Sequence, residues 1–130
     1  MSRPPAVKKI LIAEDEPNIV ISLEFLLKEA GHEVAIARDG SQALSLTGSL
    51  RPDLIVLDVM LPALNGFDVC RRIRSSREVK NTKILMLTAR GRESEVAKGM
   101  AAGADAYMTK PFATRELMKV VADLLADASK

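Results

Sequence analysis

The segment PDLIVLD at residues 52–58 decides the fold class of this chain. Its apolar part, Leu54 to Leu57, is uninterrupted, and Asp58 ends it. A short continuous run of branched apolar residues is typical of a strand buried on both faces of a sheet. Similar runs occur in KKILIA at residues 8–13 and in ILML at residues 84–87, and they predict two further strands.

Amphipathic stretches alternate with the apolar runs. Two shorter runs, at 34–37 and 106–108, complete a set of five predicted strands. Apolar residues at helical spacing predict five helices, at 17–30, 41–48, 67–74, 93–102 and after Pro111. Alternating strands and helices require parallel strands joined by right-handed helical crossovers. The predicted fold class is therefore α/β, a three-layer α/β/α sandwich around an open parallel sheet.

Length and composition limit the classes of protein that the chain can represent. Its 130 residues, 48% of them hydrophobic, suit one domain at 8–127 after a disordered leader at 1–7. The net charge of +2 is too even to indicate a nucleic-acid binder, and no apolar run is long enough for a membrane span. The single cysteine, Cys70, excludes an internal disulfide, so a reducing, cytoplasmic location is expected.

Polar side chains end four of the five predicted strands. The first strand is followed by Glu14, Asp15 and Glu16, the third by Asp58, the fourth by Thr88, and the fifth by Thr109 and Lys110. Ligands of an open parallel sheet bind beyond the carboxyl ends of its strands, and the strand order 2-1-3-4-5 would make these four strands neighbours. The sequence therefore predicts carboxylates, a hydroxyl and an ammonium group at one edge.

This set of groups suits phosphoryl transfer. Several carboxylates in one crevice repel one another, and a hard divalent cation such as Mg²⁺ relieves that repulsion. Lys110 can neutralise phosphate, and the Thr88 hydroxyl can donate to a phosphoryl oxygen. An aspartate carboxylate can also act as the nucleophile and become an aspartyl phosphate.

Simpler interpretations exist for single residues. Asp15 or Glu16, just before Pro17, could merely cap a helix. The basic stretch from Arg71 to Lys83 is interpreted as a solvated face, because no aromatic residues are interleaved with it. His32 is interpreted as a surface residue. Cys70 is predicted to be a small buried hydrophobe, and the six methionines are predicted to fill the core.

Six short motifs in a fixed order carry a family resemblance. They are IAEDEP at 12–17, PDLIVLD at 52–58, MLP at 60–62 with Gly66, LTA at 87–89, AGAD at 102–105, and KPF at 110–112. Together they resemble the receiver domain of two-component response regulators, over roughly Lys8 to Ala126. The resemblance implies a flavodoxin-like (βα)5 fold with strand order 2-1-3-4-5.

The resemblance also implies roles for the residues at the strand ends. Asp58 would accept a phosphoryl group from a phosphohistidine on a sensor histidine kinase or a phosphotransfer protein. Asp15, Asp58 and the backbone carbonyl of Met60 would bind Mg²⁺ directly, with Mn²⁺ as an alternative, and Glu14 would act through a coordinated water. Lys110 would neutralise the phosphoryl oxygens and tether Asp58 before transfer.

A conformational switch is implied in turn. Thr88 would swing towards the new phosphoryl group, and Tyr107 would turn inward and alter the face formed by the fourth helix, fifth strand and fifth helix. The chain would be an autocatalytic phosphoryl acceptor rather than a turnover enzyme. It would control a downstream effector or output domain, with a homodimer through the same face, and would bind neither membrane nor nucleic acid directly.

Departures from the family pattern concern the phosphate lifetime and the dimer. Met60 and Arg90 occupy the positions that tune phosphate loss in the family. Asp105, Lys98 and Arg115 match charged residues found in receivers that dimerise. Ala106 and Val120 occupy positions where this chain departs from that charged set.

Two other functions are alternatives to the phosphorylation switch. A degenerate receiver, acting only by binding, conflicts with the retained acids, Thr88 and Lys110. A phosphohydrolase of the dehalogenase type needs Asp-x-Asp after the first strand, but here Pro17 is the third residue from Asp15.

Overall fold

Five parallel strands form the centre of the molecule, which is described by a computed structural model over residues 8–89 and 93–128. The strands are β1 (Lys9–Ala13), β2 (Glu33–Ala37), β3 (Leu54–Asp58), β4 (Lys83–Ala89) and β5 (Ala106–Lys110). They pair in the order β2-β1-β3-β4-β5, which confirms the predicted topology. The predicted leader at 1–7 lies outside the described residues.

Helices cover both faces of this sheet. They are α1 (Pro17–Glu29), α2 (Gly40–Leu50), α3 (Gly66–Ser75), α4 (Val96–Ala102) and α5 (Thr114–Ala128). Pro17 begins α1, where its missing N–H costs no hydrogen bond. The predicted helix at 93–102 is α-helical only from Val96, because a turn of 3₁₀-helix (Glu93–Glu95) precedes it.

Two hydrophobic cores, one on each face, hold the three layers together. Successive side chains of a strand point to opposite faces. Leu11 therefore belongs to the core that also contains residues of α2, α3 and α4, whereas Ile10 belongs to the core that contains residues of α1 and α5. All five residues of β3 are buried, as its uninterrupted apolar run predicts. Cys70 lies fully buried in the first of these cores, which confirms its predicted role.

The loop after β3 is fixed by close backbone contacts. The Gly40 N–H donates to the Pro62 carbonyl at 2.9 Å, and a Cβ on Gly40 would clash with the Leu64 carbonyl oxygen. A Cβ on Gly66 would lie 2.6 Å from the carbonyl oxygen of Asp58. Any larger residue at either glycine would displace the loop that leaves Asp58.

Ala63, in the same loop, carries strain that glycine would relieve. Its φ is +70°, in the left-handed region, where an L-residue costs roughly 1–2 kcal/mol. Its side chain is exposed, so Ala63→Gly loses little contact. We expect this substitution to raise the free energy of unfolding by about 0.5–1 kcal/mol in urea titrations, after the entropic penalty of glycine is subtracted. Ala122→Gly, on the exposed side of α5, should instead lower it by about 1 kcal/mol, and equal losses in both variants would contradict the interpretation.

Three expectations about side-chain environment were wrong. Arg74 is not solvated, because its guanidinium donates to the carbonyls of Lys80, Thr82 and Gly103 at 2.6–2.8 Å. Methionine is not uniformly core filler, since Met60 and Met100 are about half exposed, although Met86 and Met108 are buried. His32 is half-buried rather than a surface residue, and its Nδ1 is enclosed.

Candidate functional site

Three carboxylates converge at the carboxyl edge of the sheet, as predicted. β1 and β3 are paired neighbours, so Glu14 and Asp15, which follow β1, lie beside Asp58, which ends β3. One oxygen from each carboxylate lies within 4.8 Å of the others. Glu14 and Asp58 are almost fully buried, whereas Asp15 is exposed. The cluster is therefore a half-enclosed acidic pocket with one open side.

Glu14 is held by the turn that leads from β1 into α1. Its Oε2 accepts the N–H groups of Asp15 at 3.1 Å and Glu16 at 3.0 Å. Burial raises the pKa of the Glu14 carboxyl, and the nearby charge of Asp58 raises it further. The hydrogen bond from the Glu16 N–H and the charge of Lys110 oppose this rise without cancelling it.

Lys110 brings a positive charge to the pocket from the end of β5. Its Nζ donates to Glu14 Oε1 and to Glu16 Oε1, both at 3.1 Å, and lies 3.4 Å from Asp58 Oδ1. Burial lowers the pKa of the Lys110 ammonium, but attraction to Asp58, Glu16 and Glu14 outweighs it and the net shift is upward. The lysine is therefore a fixed cation shared among three carboxylates.

The helix-capping interpretation of Glu16 is wrong. Glu16 occupies the N-cap position of α1 but makes no side-chain capping hydrogen bond. Its carboxylate bonds to Lys110 instead. Sequence reasoning grouped Glu16 with the other strand-end acids but did not assign it this partner, because the two residues are 94 positions apart.

Thr88 and Tyr107 lie on β4 and β5, the two strands that follow β3 across the sheet. Thr88 is fully buried near the end of β4, and its hydroxyl donates to Glu95 at 3.3 Å. Tyr107 is half-buried on β5, and a Cβ on Gly99 of α4 would lie 3.0 Å from its ring. Glu95 was missed by sequence reasoning, because an acid at the start of a helix is ordinarily explained by the helix dipole.

Met60 places main-chain polar groups next to Asp58. The Met60 N–H donates to Asp58 Oδ1 at 3.3 Å, and its side chain is exposed beside the pocket. This position is compatible with the predicted use of its carbonyl as a ligand. Arg90, the other residue assigned to the phosphate lifetime, lies outside the described residues.

A groove of about 500 Å³ opens next to the pocket. It runs between α1 and the start of α5, and its lining residues include Glu16, Ile19, Leu26, Lys110 and Phe112. Glu16 and Lys110 belong to both the groove and the acidic pocket. A molecule seated in the groove would therefore lie beside Glu16 and Lys110.

The raised pKa of Glu14 predicts a dependence of stability on pH. A carboxyl group whose pKa is higher in the folded chain than its ordinary value of 4.5 stabilises the fold below pH 4.5, and this contribution is lost as pH rises through the raised value. We therefore expect the free energy of unfolding of the wild type, minus that of Glu14→Gln, to fall between pH 4.5 and neutrality. Denaturant titrations with a chelator present measure this difference, and a constant or rising difference would contradict the assignment.

No helix within the described part of the chain is both long enough and apolar enough to cross a membrane.

Comparison with known proteins gives one consistent family. The family model described as the response regulator receiver domain matches residues 10–122. The alkaline phosphatase synthesis transcriptional regulatory protein PhoP of Bacillus subtilis is 47% identical over 110 residues, which are 85% of this chain and 45% of that protein. The phosphate regulon transcriptional regulatory protein PhoB of Rhizobium meliloti is 43% identical over 120 residues, which are 92% of this chain and 53% of that protein. The chain thus spans about half the length of these relatives.

Solved structures agree over nearly the whole chain. A putative response regulator from Chloroflexus aurantiacus superposes with a TM-score of 0.89 at 38% identity, covering 93% of this chain and 99% of that one. The chemotaxis response regulator CheY4 of Vibrio cholerae gives a TM-score of 0.86 at 33% identity, covering 92% of this chain and 99% of that one. The flavodoxin-like fold predicted from the sequence is therefore confirmed.

Proposed function

Because this chain belongs to the response regulator receiver domain family, we propose that it is a phosphorylation-activated switch whose phosphoryl acceptor is Asp58. The observation that carries the proposal is the position of the Asp58 carboxylate. It is almost fully buried, it shares the pocket with Glu14 and Asp15 within 4.8 Å, and Lys110 lies 3.4 Å away. A carboxylate held in this way, with a cation beside it, is placed to attack phosphorus.

The donor set of the pocket fits Mg²⁺, with Mn²⁺ as an alternative. Glu14, Asp15 and Asp58 carry more negative charge than the Lys110 ammonium, which contacts Glu14 and Asp58, can neutralise. All of their donors are the hard oxygen atoms that Mg²⁺ prefers. Asp15, Asp58 and the Met60 carbonyl would hold the ion, and Glu14 would hold it through water. When bound, such an ion neutralises charge on the phosphoryl oxygens.

The phosphoryl step uses the residues of the pocket in defined ways. An Asp58 oxygen forms the new bond to phosphorus as the phosphorus–nitrogen bond of a phosphohistidine breaks, and the bonding pair leaves on the imidazole nitrogen. Lys110 exchanges a carboxylate partner for a phosphoryl oxygen, and the Thr88 hydroxyl donates to another.

The output of the switch is the face formed by α4, β5 and α5. Withdrawal of Thr88 leaves room into which Tyr107 turns, and the surface of that face changes. The partners are a sensor histidine kinase or phosphotransfer protein and a downstream effector or output domain. The relatives PhoP and PhoB are transcriptional regulators by name, which favours control of transcription.

A homodimer through this face stays a prediction. Of the charges assigned to it, the Asp105 carboxylate is bound within the chain by Arg74 at 2.6 Å. Lys98 lies over the Phe67 ring, 5.0 Å from its centroid.

Phosphorylation with a small donor tests the proposed function. We expect the wild type, incubated with Mg²⁺ and acetyl phosphate, to gain a single acid-stable, base-labile phosphate by mass spectrometry. A chelator should prevent the label, because the uncompensated carboxylates repel the anionic donor. Absence of label with Mg²⁺ would favour a degenerate receiver, and sustained phosphate release from many substrates would favour a phosphohydrolase.

A further inference from the structure

The hydroxyl of Thr88 already donates a hydrogen bond to a side chain outside the acidic pocket. Its Oγ1 donates to Glu95 Oε1 at 3.3 Å, and Thr88 itself is fully buried. A buried hydroxyl that gives up a partner must find another, because an unsatisfied buried donor is costly. The contact with Glu95 therefore bears directly on any movement of Thr88.

Glu95 is not used in the way expected of a residue at its position. It is the N-cap residue of α4, yet its side chain makes no capping hydrogen bond to that helix. Its carboxylate instead accepts a hydrogen bond from the Thr88 hydroxyl on β4. The glutamate thus ties the start of α4 to the strand that carries Thr88.

We propose that Glu95 is a positioning residue that holds the Thr88 hydroxyl in the resting state, and that this hydrogen bond breaks when Thr88 binds a phosphoryl group. The proposal rests on the function proposed for Asp58. A threonine hydroxyl has one proton to donate, so it cannot donate to Glu95 and to a phosphoryl oxygen at once. The two acceptors compete for the same hydroxyl group.

This competition couples the acidic pocket to α4. The helix is only seven residues long and contains Gly99, whose Cβ position lies 3.0 Å from the Tyr107 ring. When Thr88 leaves Glu95, the start of α4 loses this hydrogen bond to β4, while the same helix still packs against Tyr107. Release of Glu95 therefore acts on the helix that packs against the Tyr107 ring.

Beryllofluoride, a mimic of the phosphoryl group, tests the proposal on the complete chain. With Mg²⁺ present, we expect Glu95→Ala to bind beryllofluoride about three- to tenfold more tightly than the wild type, because no hydrogen bond to Glu95 has to be broken. Ser94→Ala, an exposed neighbour in the same turn, is the matched control and should bind like the wild type. In a Thr88→Val background, Glu95→Ala should have no effect.

Three results are decisive. Unchanged affinity in Glu95→Ala would overturn the proposal. A gain that persists in the Thr88→Val background would also overturn it, since it would reflect only the loss of a negative charge. If the wild type itself binds no beryllofluoride, the function proposed for Asp58 fails first, and the role of Glu95 falls with it. Should Glu95→Ala fail to fold, Glu95→Gln gives the same test with a smaller gain, because an amide oxygen is a weaker acceptor than a carboxylate.

Discussion

Asparagine in place of Asp58 is expected to abolish phosphorylation of this chain by acetyl phosphate and Mg²⁺. The amide is neutral and is a poor nucleophile, and it cannot offer the charged oxygen that lies 3.4 Å from Lys110. Because Asp58 also belongs to the carboxylate cluster, we expect Mg²⁺ affinity to fall at least about tenfold. Mass spectrometry of the intact chain measures the label, and calorimetric titration measures the metal affinity.

Asp53→Asn is the matched control for this substitution. Asp53 lies at the opposite end of β3, where its Oδ2 accepts the Lys9 N–H at 2.8 Å, so its loss should leave the phosphate label intact. The pKa of Glu14 offers an independent check, because the charge of Asp58 raises it. In Asp58→Asn it should move downward in an NMR titration. Label that survives in Asp58→Asn would show that the acceptor is another residue.

Alanine in place of Arg74 is expected to cause the largest loss of stability among the substitutions considered. The guanidinium donates to three carbonyls and forms an ion pair of 2.6 Å with Asp105, whose Oδ2 also accepts the Ile84 N–H. It thereby joins the end of α3 to the turns before β4 and β5. Truncation would leave these acceptors without their donor, so the free energy of unfolding should fall by about 2–4 kcal/mol. Chemical denaturation monitored by circular dichroism measures the change.

Arg71→Ala provides the control on the same helix. Arg71 pairs only with Asp68 in the contacts described for it, both side chains are largely exposed, and such a pair contributes about 0–1 kcal/mol. Arg74→Lys should recover little of the loss, since an ammonium cannot span acceptors on three segments as a planar guanidinium does. Equal losses in Arg71→Ala and Arg74→Ala would mean that the multiple contacts of Arg74 add nothing to stability.

The fold and most of the acidic pocket could be predicted from local sequence. Continuous apolar runs such as Leu54 to Leu57 mark strands that are buried on both faces. Because a helix lies between each strand and the next, the strands are parallel and joined by helical crossovers. Parallel strands bring their carboxyl ends to one edge, so Glu14, Asp15 and Asp58 had to meet once β1 and β3 were neighbours. These conclusions depend on the periodicity of apolar residues and on chain direction, and both can be read directly from the sequence.

The partners of individual polar side chains were decided by the tertiary structure. Glu16 could have capped α1 but bonds to Lys110, and Glu95 could have capped α4 but accepts from Thr88. Arg74 could have been solvated but lies where three segments converge. Each of these groups has several chemically adequate partners, and only the packing of distant segments places one of them within hydrogen-bonding reach. The sequence by itself therefore determined the sheet and the acids at its edge, while the three-dimensional arrangement determined which residue each acid or base holds.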